Sequence, residues 1–245
     1  MIYYIIFGMI ILFIIYLNIK TTRKDDIFLT KEETIKFIEK DNDFYIQLLS
    51  IADLHARGEE THNDYKIKSM KDITNFNKKE YIRECCIKAD EWFKDRKLKY
   101  IGDNHNIDKI RWLIGCMKGY YENGLPHTRG NIVFLPLNIE NKVEKDIIKT
   151  LIHEKVHIYC RKNREKILDI LRNDGYRRKK HRSKERLIRG NPDIDEFIYE
   201  DKYGTEMKFV YNSEEPKSIM DGKITGEYEH PLEMISYEIE NEYLF

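Results

Sequence analysis

The segment Thr150–Arg161, TLIHEKVHIYCR, constrains the chain most, because it sets two histidines four positions apart inside an apolar helical pattern. Val143, Ile147, Ile148, Leu151 and Ile152 recur at helical spacing, so the segment belongs to an amphipathic helix over about 143–162. Asn141 followed by Glu144 reads as a capping box at its start. On such a helix His153 and His157 project from one face, one turn apart, as two imidazoles must to reach one Zn²⁺. Glu154 sits one position after the first histidine, close enough to take a proton from a metal-bound water yet angled away from ligation. A helix with two exposed histidines and no metal is the plainer reading; the helical context favours the metal pair. Lys155 is expected on the solvent side and Ile158 on the packing side, neither with a chemical role.

Catalytic zinc usually has three protein ligands and an open position for water, so a third donor is needed. The chain ends EYEHPLEMISYEIENEYLF, where Pro231 suits the first turn of a helix. Glu233 lies near that start between Leu232 and Met234, and Ser236 three positions on would let this helix approach the metal helix closely. Glu233 is therefore the expected third ligand, with Glu229 and Glu238 as rivals and His230 as the nitrogen-donor rival. Glu240 and Glu242 read as a solvated acidic face. Candidates to stabilise a developing oxyanion are His127, Tyr211, Tyr228 and His230, each with a structural hydrogen bond as the plainer role.

The remainder reads as α+β, with residues 29–245 forming one domain. Of the 245 residues 41% are hydrophobic, enough for a core, and the formal net charge is zero, so overall charge does not argue for nucleic acid. Residues 1–19 carry no charged side chain and would span about 28 Å as a helix. This predicts an uncleaved transmembrane anchor, with 20–28 as a juxtamembrane linker. Lys20, Arg23 and Lys24 follow it, which by the positive-inside rule places the domain on the cytoplasmic side. Cys85, Cys86, Cys116 and Cys160 form no CxxC pair and suggest no disulfide framework.

Helical patterns cover 29–57, broken near Asp41-Asn42-Asp43, and 77–97, while 58–75 is polar and reads as a loop. Asn131–Leu135, closed by Pro136, reads as an edge strand ahead of the metal helix, where a peptide could add by β-augmentation, with a strand that only packs against the core as the equal alternative. Residues 161–189 are strongly basic around Arg177-Arg178-Lys179-Lys180. A solvated surface is the default reading, with anionic lipid or nucleic acid as alternative partners. Asn191-Pro192-Asp193 is a turn signal, and 197–199 with 207–211 read as a hairpin turning at Tyr203-Gly204.

HEKVH with a downstream Glu-bearing helix resembles the gluzincin branch of the zincin metallopeptidases. LPHTRGNIVFLP, HEKVHIYCR, NPDIDEFIY and EHPLEMISYE together resemble uncharacterised zinc metallopeptidase-like proteins of large DNA viruses. The likeness covers roughly 123–243. It implies a zincin-like fold with a small sheet, His153 and His157 as zinc ligands, Glu154 as catalytic base, a peptide or protein substrate, and a host-cell or virion membrane for the anchor. The chain departs from the best-known gluzincins in the long interval between His157 and Glu233. It also carries Tyr237 where some relatives place an acid that orients a ligand histidine. The competing class is a membrane-anchored zincin-fold interaction protein that works through its basic segment without proteolysis; an intact Glu154 argues against it.

Overall fold

In the computed structural model, residues 26–103 and 105–243 are described. A four-stranded sheet sits between two helical layers. Its strands are β1 (Ile73–Thr74), β2 (Ile114–Met117), β3 (His127–Arg129) and β4 (Ile132–Pro136), in the order β1-β2-β4-β3. β2 and β4 run parallel, and the outer pairs are antiparallel. Successive side chains of a strand face opposite ways. Val133 and Leu135 accordingly join a core with α4 (Lys79–Phe93), α5 (Glu144–Lys162) and α7 (Pro231–Glu242). Ile132 and Phe134 face α1 (Lys31–Lys40), α2 (Ile51–Ala56) and α3 (His62–Asp72).

This layering corrects the expected edge strand. Every residue of β4 is buried, and β4 is central, as an uninterrupted apolar run requires when both faces are covered. The edge beside β4 is β3, three residues earlier in the chain. Its Thr128 N–H and hydroxyl both donate to Asp193, so a peptide adding at this edge would have to displace that carboxylate.

Thr30 and Glu33 form the expected capping box of α1, and the break at 41–43 occurs where Asp41 turns left-handed at φ 46°. The polar stretch 58–75 is not a plain loop. It contains α3, capped by Thr61 and anchored by buried Tyr65 and Ser69. Val143 opens α5 with no side-chain cap, and Asn141 instead accepts from Lys78 Nζ at 3.2 Å. Lys155 is fully buried, not solvent-facing: it pairs with Asp90 and lies 4.2 Å from the centre of the Trp112 ring. Burial lowers its pKa, with Asp90 opposing. The pair ties α4 to α5, and Trp112 Nε1 donates to the other oxygen of Asp90 at 3.0 Å. Ile158 packs in the core as expected.

After α5 come α6 (Arg164–Asn173) and a second sheet of β5 (Arg177–His181), β6 (Phe197–Glu200) and β7 (Glu206–Met207). The β6–β7 hairpin turns at 201–205, as expected, but its second strand is only Glu206–Met207; 209–211, expected to continue it, pair instead with 222–224 in a separate ribbon. The basic run forms β5, where Arg178, Lys179 and Lys180 find carboxylate partners in Asp195, Glu200, Glu206 and Glu185. A two-stranded ribbon of β8 (Phe209–Tyr211) and β9 (Gly222–Ile224) precedes α7.

The expected single-pass membrane placement is not supported. Among the described residues no helix is long and apolar enough to cross a membrane, and 1–19, where the anchor was expected, lie outside the described residues. The fold class is thus a mixed α/β arrangement of seven helices and small sheets among the described residues, none of those helices being long and apolar enough to cross a membrane.

Candidate metal centre

α5 and α7 pack against each other, and the candidate site lies at their contact. His153 and His157 lie one turn apart, with their Nε2 atoms 3.0 Å from each other. Glu233, in the first turn of α7, places Oε2 3.4 Å from His153 Nε2 and 3.6 Å from His157 Nε2. One ligand atom from each residue falls within 4.8 Å of the other two, a cluster able to hold a metal ion. Two imidazole nitrogens facing each other at 3.0 Å repel unless a proton or a cation lies between or beside them. Burial works against a charged His153, but Glu233 and Glu240 hold its pKa well above the usual value. Glu233 is correspondingly held well below the usual carboxylate range, burial being outweighed by the two histidines.

Glu154 is buried, and its Oε2 has no hydrogen-bond partner. Burial first, then the Asp193 carboxylate, raises its pKa well above the ordinary range, with His153 opposing. An unpartnered buried carboxylate beside a candidate cation site is the group a bound water would need as its base.

The rivals for the third ligand are engaged elsewhere. Glu229 is locked to Arg189 and accepts from Asn191 Nδ2 at 2.7 Å. Glu238 pairs with Lys99 and accepts from the Tyr100 hydroxyl at 3.1 Å. His230 caps α7: its Nδ1 accepts the Leu232 N–H at 3.1 Å, and its Nε2 lies 3.3 Å from Asp195. Tyr211 donates to Asp53 at 3.0 Å. His230 and Tyr211 therefore do not line the cleft that holds the metal cluster, whereas His127 and Tyr228 do.

That cleft has a volume of about 360 Å³ and reaches His153, Glu154 and Glu233. Leu125, Met220, Ile224 and Tyr237 border it, each exposed by 43% or more, so its rim is apolar around a charged centre. His127 stacks flat on Phe134, with ring centroids 5.0 Å apart. Its Nδ1 lies 2.9 Å from the Leu125 carbonyl, which fixes the proton there and leaves the partnerless, buried Nε2 as an acceptor. Burial lowers its pKa and keeps the ring neutral.

Two features of the site escaped the reading of the sequence. Glu240, taken there as solvated, is buried, with Oε2 3.0 Å from His153 Nδ1 and Oε1 3.4 Å from Lys149. It stands seven positions after Glu233, two turns on the same helix face, and that spacing was the available signal. The second group is a buried ion pair at the cleft floor. Arg57 makes a two-pronged contact with Glu122, at 3.1 and 2.6 Å, and donates to Tyr45 and to the Gly190 carbonyl.

Burial pushes the Glu122 pKa up, but Arg57 more than reverses this and brings it from 4.5 to about 2. A depressed carboxylate contributes stability that is complete above its unfolded pKa and is lost as pH falls through its folded one. Acid titration of unfolding free energy should therefore show a loss on the order of 3 kcal/mol from this group between about pH 4.5 and 2. In Glu122→Gln that segment of the curve should flatten; an unchanged slope would remove Glu122 as its source.

In comparisons with known proteins, no family model matches this chain, and no curated protein and no solved structure matches it.

Proposed function

We propose that the chain is a zinc-dependent metallopeptidase that hydrolyses peptide bonds, with His153, His157 and Glu233 as ligands and Glu154 as general base. The observation that carries this reading is the convergence of two histidines and a glutamate around one point, with a partnerless carboxylate beside it. The donor separations of 3.0, 3.4 and 3.6 Å support zinc. Bonds of about 2.0–2.1 Å in a tetrahedron give edges of about 3.3–3.4 Å. The resemblance of HEKVH and the Glu233 helix to gluzincins points the same way.

Zn²⁺ held there would lower the pKa of a bound water and polarise the scissile carbonyl. Glu154 accepts the water proton and delivers it to the leaving nitrogen. Tyr228, its pKa raised by burial, keeps its O–H and is the donor on the cleft wall for the developing oxyanion. His127, neutral with its Nε2 lone pair free, accepts an N–H from the substrate backbone. Asp193 lies between the edge strand and Glu154, where its charge keeps the base strong.

Metal analysis of purified protein should find about one zinc per chain, and a peptide-library digest should show cleavage. The apolar rim predicts enrichment of bulky apolar side chains next to the cut bond. Protein prepared with zinc present that holds none would end this reading. Glu240→Gln is expected to weaken zinc binding by about 10–100-fold, because the negative charge 3.0 Å from a ligand histidine is removed. Competition with a chromophoric chelator measures this, and unaltered affinity would show Glu240 to be a bystander.

A further inference from the structure

The turn Asn191-Pro192-Asp193 does more than reverse the chain. We propose that Arg189–Asp193 is a strap that positions the third metal ligand, with Asn191 as its working residue; this rests on the metal-site reading above. Asn191 Nδ2 donates to Glu233 Oε1 and to Glu229 Oε1, both at 2.7 Å. Glu233 thereby has its outer oxygen held by an amide, and Oε2 is turned toward the two histidines. The amide also separates two buried carboxylates that would otherwise repel, and Arg189 neutralises the outer one. Asn191 Oδ1 accepts the Asp193 N–H at 2.9 Å, which fixes the amide's orientation.

Each neighbour in the strap is anchored to a different part of the protein. Gly190 N–H donates to Asp53 at 2.7 Å, and its carbonyl accepts from Arg57 at 2.9 Å. A side chain at Gly190 would meet Leu49 at 2.9 Å and Arg182 at 3.1 Å, so no larger residue fits there without displacing them. The Pro192 carbonyl accepts from Arg161 of the metal helix at 3.1 Å. Asp193 holds Thr128 of the edge strand. Five residues thus tie the metal helix, the third ligand and the edge strand into one frame. A ligand whose outer oxygen is held in this way loses less freedom on binding, and such outer contacts typically govern metal affinity by about 10–100-fold.

The test measures zinc affinity of the full chain by chelator competition, together with the visible spectrum of the Co²⁺-loaded protein. Asn191→Ala should raise the zinc dissociation constant about 10–100-fold and shift the Co²⁺ bands. Adding Glu233→Ala should cost no more than Glu233→Ala alone, because Asn191 acts through that residue. Asn191→Asp keeps the outline and the Oδ1 acceptor but removes the donors. It should also weaken binding, and it carries the test if the alanine variant fails to fold. Wild-type affinity and bands in either folded variant, or full additivity with Glu233→Ala, would overturn the role of Asn191. Wild-type protein that takes up no zinc would instead fail the metal site itself, a result separable from the first.

Discussion

Glu154→Gln should lower peptide cleavage by about 10²–10⁴-fold while leaving zinc bound at wild-type stoichiometry. The substitution keeps the shape of a side chain that is 3% exposed, so the helix and the cluster of His153, His157 and Glu233 stay in place. What is lost is the capacity to accept a proton, since an amide is not a base near neutral pH. The metal should survive because Glu154 is not among the three clustered ligands. Parallel metal analysis and steady-state kinetics would separate the two roles. Full cleavage by the variant would remove Glu154 from the mechanism, and loss of the metal would make it a ligand.

The second large effect concerns stability. Arg129 lies in β3 with its side chain fully buried. It donates to Asp41 at 2.6 Å, to Asp43 at 3.0 Å and to the Tyr121 hydroxyl at 2.6 Å, and lies 5.1 Å above the Tyr45 ring. Asp41 is equally buried and also accepts the backbone N–H groups of Ile46 and Gln47. Arg129→Met keeps the volume but leaves that carboxylate without a cation. Breaking a buried pair from one side costs about 3–5 kcal/mol, more than the pair itself contributes. Urea unfolding should show the loss, and Asp41→Asn added to Arg129→Met should recover part of it. The exposed pair Arg172–Asp169 is the contrast: Arg172→Met should change stability by no more than about 0.5 kcal/mol. Equal effects at the two sites would show that burial is not the deciding factor.

What could be read from the residues was whatever repeats locally. Helical spacing placed α5 and its histidine pair, the proline and apolar neighbours placed α7, and Glu233 followed from its position near the start of α7. The failures share a cause in contacts distant along the chain. Lys155 looks like a surface residue until Asp90 and Trp112 arrive from 65 and 43 positions away. β4 looked like an edge because Pro136 closes it, whereas the parallel neighbour β2 that makes it central carries only four residues of its own. α3 is helical with few apolar residues, because its buried side chains include Ser69 and Asp72. The roles of Asn191 and Glu240 depend on side-chain atoms converging in space, to which a pattern of types is blind.

The pairing of α5 with α7 has a consequence for how the chain would be held together. Two donors come from one helix and the third from a helix far along the sequence, so a cation on all three closes a long loop, as a cross-link does. Closing a loop of that length removes freedom from the unfolded chain, and a cation that prefers the assembled site adds its binding energy to folding. A chelator would then act as a denaturant as well as an inhibitor, and the melting temperature would track the free zinc concentration.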